Sequence, residues 1–246
     1  MYKRQEYINK VERFGHWKDT SVLLRGAAVR SLTRMFLQQW TLNAGSDTLD
    51  RPEEEYLTAR ALPAQGYVQP YPDSPLDHFN AAENAYLHLI QRADHYVYIT
   101  TPYLILDNEF VTTLKTTAES GVDVRIITPS HPDKWYVHMV SRSYYQTLIQ
   151  SGVKIYEYQP GFIHAKMCLC DDEAAMVGTA NLDYRSLYLH YENAVLLYHT
   201  PVLAEIKKDI EETLEKSRLI TIKELRSKLR GTNALCALLK LLAPLM

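Results

Sequence analysis

Three cysteines in 246 residues are too few, and odd in number, to staple a disulfide scaffold. They point instead to a reducing compartment. Nine glycines and eleven prolines exclude collagen-like and low-complexity sequence. Neither charge sign dominates. Lys and Arg total 27 against 29 Asp and Glu, and a formal net charge of −2 does not suit non-specific nucleic-acid binding. No hydrophobic run is long enough to span a bilayer. The most apolar stretch, residues 234–246, carries Lys240 in its middle and reads as a terminal helix packed on the body. The opening Met1-Tyr-Lys-Arg-Gln-Glu has no apolar stretch behind it, so no signal peptide is expected. What is present is 46% hydrophobic residues, enough for a real core in one large domain or two modest ones.

Residues 20–26 read as a short strand ending at Gly26, and 27–40 as a helix with apolar residues at 28, 32, 36 and 40. Residues 42–62 lose that pattern and read as a linker. Strand and helix then alternate regularly. Strands are expected over 66–70, 96–101, 122–128 and 153–158. Helices are expected over 79–92, 108–120 and 135–151, the last two stopped by Gly121 and Gly152. This alternation predicts a layered α/β protein with a largely parallel sheet. From Ile163 to Cys170 the period is two. Asp171-Asp-Glu is a turn, residues 174–177 and 188–198 are strands, and 203–217 is a charged amphipathic helix.

The chemistry concentrates in Phe162-Ile-His-Ala-Lys-Met-Cys-Leu-Cys-Asp171 and the following Gly178-Thr-Ala-Asn181. His164 and Lys166 are two apart on a strand, so they share a face with α-carbons about 6.6 Å apart. Thr179 and Asn181, past the turn, could return a hydroxyl and an amide to that face. An imidazole, an ammonium and an amide around one point suit a phosphoryl group. The imidazole can attack phosphorus while Lys166 and Asn181 hold the developing charge. A zinc site of His164, Cys168 and Cys170 fails on geometry, because His164 and Cys168 are about 13 Å apart along a strand. No metal and no cofactor is expected. Tyr144, Tyr145, Tyr156, Tyr158, Tyr184, Tyr188 and Tyr191 cluster in sequence around the motif and could line a ligand cleft, although most read as core or rim.

His-x-Lys, four residues, Asp, with a downstream Gly-Thr-Ala-Asn, resembles the signature of the phospholipase D superfamily. Pro160-Gly-Phe-Ile-His-Ala-Lys, Gly178-Thr-Ala-Asn-Leu-Asp-Tyr-Arg-Ser, Ser130-His-Pro-Asp-Lys-Trp and Tyr191-Glu-Asn-Ala-Val resemble the C-terminal half of its bacterial cardiolipin synthases. The resemblance implies an α/β/α sandwich with a mixed, largely parallel sheet. It implies catalytic roles for His164, Lys166, Asp171 and Glu192, and phosphate binding by Lys166, Thr179 and Asn181. Glu192 matches an acid that orients the catalytic imidazole by bonding its far nitrogen. Asp171 completes the signature, in part for structural reasons. The implied reaction moves a phosphatidyl group between phosphatidylglycerol molecules through a phosphohistidine.

Such enzymes use two motifs, and this sequence has one. His16 and Lys18 have the spacing, but position 23 is Leu, so His16 reads as bland. Phe14-Gly-His-Trp-Lys-Asp-Thr, Gly26-Ala-Ala-Val and Phe36-Leu-Gln-Gln-Trp resemble the stretch just after the first motif. Residues 1–62 are therefore expected to be the remnant of an N-terminal half plus linker, and 63–246 the C-terminal phospholipase D-like domain. The expected partners are a phospholipid substrate, a membrane surface, and a homodimer or complementary N-terminal half that supplies the second imidazole. Nucleic acid is not expected. The resemblance implies a bacterial membrane location, peripheral or cytoplasmic for this chain. Residues 1–62 are expected to expose Phe36 and Trp40 and to cover or obstruct such a dimer surface. Two alternatives stand beside this reading: a phosphodiesterase with water as acceptor, and a silent phosphate-binding fragment.

Overall fold

The computed structural model describes residues 5–45, 48–228 and 239–241. Among these the strands are β1 (His16–Lys18), β2 (Tyr67–Asp73), β3 (Tyr96–Thr100), β4 (Asp123–Pro129), β5 (Lys154–Tyr158), β6 (Gly161–Ile163), β7 (Met167–Cys170), β8 (Ala174–Gly178), β9 (Glu192–Tyr198) and β10 (Ser217–Leu219). The helices are α1 (Val29–Ala44), α2 (Glu53–Tyr56), α3 (Ala81–Arg92), α4 (Asn108–Glu119), α5 (Trp135–Gln150), α6 (Tyr184–Tyr188), α7 (Val202–Glu215) and α8 (Ile222–Lys228).

Eight strands form one sheet in the order β10-β5-β4-β3-β7-β8-β9-β2. Helices cover both faces. On one, Tyr86, Leu89 and Ile90 of α3, Phe110 and Leu114 of α4, and Tyr145 and Leu148 of α5 pack against Val97, Ile99, Val124, Ile126 and Ile155. On the other, Leu203, Ile206 and Ile210 of α7 pack against Ile127, Met167, Leu169, Ala175, Val195 and Leu197. Burying each such side chain contributes about 1.5–3 kcal/mol. Alternation along β7 sends Cys168 and Cys170 to the first face and Met167 and Leu169 to the second. The cysteines are core residues.

The sheet is mixed, as expected, but it is not largely parallel. Only β3–β4 and β4–β5 are parallel, joined by the crossovers α4 and α5. The remaining neighbours are antiparallel. The reason lies in the connections. β7 and β8 are joined by a tight turn in which Asp171 and Asp172 take φ of 50° and 58°. A turn that short can only reverse the chain.

The central expectations hold within a residue or two, with local caps. Asp107 accepts from the Phe110 N–H at 2.8 Å to start α4, and Gly121 and Gly152 follow α4 and α5 with φ near 100°. Three expectations fail. Residues 20–26 are not a strand: they find no sheet edge, and Val22 and Leu24 pack instead on the α7-side core. The strand lies just before, at β1, paired in parallel with β6. Gly15 and Gly161 permit this approach, since a Cβ on Gly161 would sit 2.4 Å from the His16 nitrogen. Second, the run from Ile163 to Cys170 is broken, because the amides of His164 and Ala165 both donate to the Lys18 carbonyl of β1 (2.7 and 3.2 Å). The period of two survives the break. Third, the expected strand at 188 starts only at Glu192, after α6. Within the expected linker, 53–56 form one helical turn. The expected tail helix and Cys236 lie outside the described residues, apart from a helical turn at 239–241. No helix among the described residues is long and apolar enough to cross a membrane.

Candidate functional site

The ends of β3, β7, β8 and β9 that lie side by side open onto a cavity of ≈ 760 Å³. His164, Lys166, Thr179, Asn181 and Glu192 all line it. Asp171 does not. It sits at the far end of β7, about 16 Å along the strand from Lys166. There its carboxylate accepts the backbone N–H groups of Asp94, His95 and Tyr96 at 2.6, 3.0 and 2.6 Å. A catalytic part for Asp171 is thereby corrected to a structural one: it ties the start of β3 to the β7–β8 turn.

The expected partner of His164 is also corrected. Its Nδ1 lies 2.9 Å from Oδ2 of Asp19, a residue of the N-terminal segment. Glu192 makes no hydrogen bond to His164; its Oε1 is 3.7 Å from Nδ1 of His190. Asp19 gets there because β1 runs beside β6, so the residue after β1 faces the residue after β6. Lys18 reinforces this through an ion pair with Asp209 of α7. Trp17, buried, packs its indole on Phe162 and His164 with centroids 4.8 and 5.0 Å apart. Burial pushes the Asp19 carboxyl up, but the His164 hydrogen bond and charge, the Thr20 N–H and Lys166 together outweigh it, and the net shift is downward. With Nδ1–H directed at Asp19, the ring lone pair falls on Nε2. Residues 19–21 line the cavity.

Lys166 is 6% exposed, and its Nζ donates to the His164 carbonyl at 2.5 Å. Burial brings its pKa down to about 8, against the pull of Asp19, Glu192 and Asp183. An ammonium held this dry is a strong anion ligand once an anion arrives. Thr179 and Asn181 line the cavity with their donors already engaged. The Thr179 hydroxyl accepts from the Asn193 N–H (3.0 Å) and faces its carbonyl (3.2 Å), bracing β8 to β9. The Asn181 amide donates to Asp183 Oδ2 (3.1 Å) and Ser186 Oγ (2.9 Å), and its buried Oδ1 has no partner.

None of the seven clustered tyrosines lines the cavity; Tyr103 and Tyr136 do. Tyr145 shows why sequence proximity misled. It is wholly buried beneath the sheet, its hydroxyl 2.7 Å from Thr128 Oγ1. The cations Lys134 and Arg185 and the imidazole of His190 also line the wall and were not expected from the sequence. Lys134 Nζ lies 5.0 Å from the centre of the Tyr103 ring. Arg185 Nε donates to Nε2 of His190 at 2.9 Å. A signal was present, because His190 and Glu192 have the same i, i+2 spacing as His164 and Lys166.

The family described as "Cardiolipin synthase, PLD-like domain" matches residues 86–214, just over half of the chain. A Streptococcus mutans protein named only as uncharacterized is 49% identical over 98% of this chain and 52% of its own length. Cardiolipin synthase 2 of Bacillus anthracis is 37% identical over 98% of this chain and 47% of its own. The chain thus spans about half the length of these curated relatives. Phosphatidylserine synthase of Haemophilus influenzae shares the fold with a TM-score of 0.62, 18% identity, and coverage of 89% of this chain and 62% of that one. So does Nuc, a phospholipase D family member of Salmonella typhimurium, with a TM-score of 0.54, 17% identity, and coverage of 63% and 99%.

Proposed function

The chain belongs to the family of cardiolipin synthase, PLD-like domains, and from that premise we propose that its cavity carries out phosphatidyl transfer on phosphatidylglycerol. The observation that carries this reading is the Asp19–His164 pair opening onto the cavity beside buried Lys166. In the proposed first step the Nε2 lone pair of His164 attacks phosphorus. The bond from phosphorus to the glycerol oxygen breaks, and that oxygen takes up a proton. Lys166 balances the charge gathering on the non-bridging oxygens. In the second step the hydroxyl of another phosphatidylglycerol attacks the phosphohistidine, loses its proton, and leaves as cardiolipin with the P–N bond broken.

Residues 63–246 are read as the C-terminal phospholipase D-like unit and residues 1–62 as the end of a preceding half. The family match, residues 86–214, lies wholly within the second of these segments. The substrate places the working surface against a bilayer, as a peripheral contact.

The test is to incubate the chain with phosphatidylglycerol vesicles and look for an acid-labile phosphatidyl adduct on His164 by mass spectrometry, with His164→Asn as control. An adduct on His164, with cardiolipin among the products, is expected. Phosphatidic acid alone would put water in the acceptor's place. No adduct on the wild-type chain would overturn the reading.

A further inference from the structure

Asp183, Arg185 and Ser186 reach the cavity wall from α6 and its cap, and α6 is a helix of only five residues. A helix so short does not hold itself. Its start is fixed by Asp183, which accepts the Ser186 N–H at 2.7 Å. Its far end is fixed by Tyr188, and there the partners are two acids. The Tyr188 hydroxyl lies 2.8 Å from Oε1 of Glu83 on α3 and 2.6 Å from Oδ2 of Asp107 at the cap of α4. Both carboxyl groups are buried.

A phenol has one hydrogen, and here it meets two carboxyl oxygens at hydrogen-bonding distance. Glu83 and Asp107 are also within hydrogen-bonding reach of each other. With both acids ionised, a lone pair would face a buried carboxylate, so the three groups need a second hydrogen between them. The remaining bonds place it. Asp107 accepts through both oxygens, from the Phe110 N–H at 2.8 Å and from Tyr188. Glu83 accepts through Oε2 from the Asn80 amide at 3.0 Å, which leaves Oε1 to carry a hydrogen to the phenol oxygen. The surroundings offer no counter-charge. Tyr144 of α5 and Tyr184 of α6 face Asp107, Glu109 of α4 faces Tyr184, and Asp73 of β2 holds the Ala81 and Ala82 amides at the start of α3. Neither Glu83 nor Asp107 pairs with a lysine, arginine or histidine among the described residues. Burial pushes the Glu83 carboxyl up, the Tyr188 and Asn80 hydrogen bonds pull it down, and the nearby Asp107 adds to the rise; the net shift is upward.

We propose that Glu83, Tyr188 and Asp107 form a proton-held latch on α6: protonated Glu83 donates to the phenol oxygen, the phenol donates to Asp107, and loss of the Glu83 proton frees the end of the helix. The proton passes to water, and no covalent bond other than Glu83 O–H is broken. Two adjacent buried anions then remain with no cation between them. They separate to admit water, and Tyr188 loses its seat. Ser186 and Arg185 lose their fixed backing with it, as does Asn181, whose amide donates to Ser186 Oγ at 2.9 Å. The direction of the pH effect follows from the linkage. In the closed latch Glu83 keeps a proton that it sheds near its ordinary value of 4.5 once the latch is open. Closure is therefore strongest at and below that value and weakens as pH rises above it. The latch goes beyond the transfer reading and stands whatever reaction the cavity performs.

Two measurements on the full chain test it, and neither needs turnover. Infrared spectra near neutral pH should show the carbonyl stretch of a protonated carboxyl that is absent in Glu83→Gln. Labelling the glutamates with carbon-13 at Cδ should shift the same band, which identifies it without a substitution. Hydrogen exchange, with the intrinsic rate divided out, is then followed between about pH 5 and about pH 9, the range over which buried glutamates titrate. The Leu187 and Leu189 amides bond to the carbonyls of Asp183 and Arg185 within α6. Their protection in the wild type should fall by up to about tenfold per pH unit, the slope of an opening that releases one proton. The amides of β3 should not share that slope. Glu83→Gln carries amide hydrogens that do not leave, and in it the slope should vanish. A band that neither the label nor Glu83→Gln alters overturns the proposal. So does wild-type protection of α6 that ignores pH, or a slope that persists in Glu83→Gln.

Discussion

His164 and Asp19 are 145 positions apart in the chain and 2.9 Å apart through Nδ1 and Oδ2. The imidazole of the motif is therefore oriented by a residue outside the motif and outside the part of the chain that the family match covers. Asp19→Asn keeps the shape and removes the charge. It should slow formation of the His164 adduct by up to about 10⁴-fold, as loss of the carboxylate behind a catalytic imidazole does in a Ser-His-Asp triad. Glu192→Gln should have a smaller effect on adduct formation. Quench-flow measurement of the adduct in both variants checks this; a larger defect in Glu192→Gln would return the orienting part to Glu192.

Lys166 links anion binding to pH. Its pKa near 8 means that the ammonium is present below pH 8 and lost above it. Vanadate or phosphate affinity, measured by calorimetry between pH 7 and pH 9.5, should fall as pH rises through about 8 in the wild type. In Lys166→Met that step should disappear along with most of the affinity. An affinity insensitive to the substitution would separate Lys166 from the anion.

The same residue predicts a stability gain. A lysine whose folded-state value is brought from 10.5 down to about 8 costs stability while it is charged. That cost is fully present below pH 8 and fades as pH rises towards 10.5. Lys166→Met should therefore raise unfolding free energy at pH 7 by up to about 3 kcal/mol, with the difference vanishing near pH 10.5. Urea denaturation at the two pH values is the measurement. A less stable variant at pH 7 would contradict the burial argument.

Asp171 should behave in the opposite way. Asp171→Ala leaves three backbone N–H groups at the start of β3 without their acceptor. It should cost at least about 2 kcal/mol of stability, while first-turnover rates of the folded fraction stay near wild type. A variant of native stability with no activity would restore a chemical part to it.

Asp209→Ala removes the partner of Lys18. Hydrogen exchange should quicken at the amides of His164 and Ala165, which bond to the Lys18 carbonyl, and not in β3 or β4. Exchange at those two amides unchanged by the substitution would mean that the ion pair does not hold β1 in place.

The centre of the fold was legible because its helices and strands carry their own signals. Asn108–Glu119 has a capping Asp before it and Gly121 after it, and Asp123–Pro129 is rich in Val and Ile. The strand direction was legible at the short Asp171–Glu173 turn, which can only reverse the chain, and the expectation of a largely parallel sheet overlooked it. Within the site, His164 and Lys166 were singled out by their i, i+2 spacing as if on one strand; they fall in the break between β6 and β7, and both line the cavity. Asp19 was not found, since the register of β1 against β6 leaves no mark in either segment alone. The tyrosines show the converse: nearness in sequence to a motif put Tyr145 beneath the sheet rather than in the cavity.

The pairing of β1 with β6 bears on how this protein can be cut, fused or recombined. A boundary drawn at residue 63, where the regular alternation of strand and helix begins, would keep every element of the main sheet and every residue of the His-x-Lys motif. It would also sever Asp19 from His164, leave Nδ1 to water, and strip Trp17 from the face of the imidazole. Inheritance of the motif and inheritance of its chemistry are thus separable here. A gene rearrangement that moved residues 63–246 alone would carry off the main sheet with an untethered histidine.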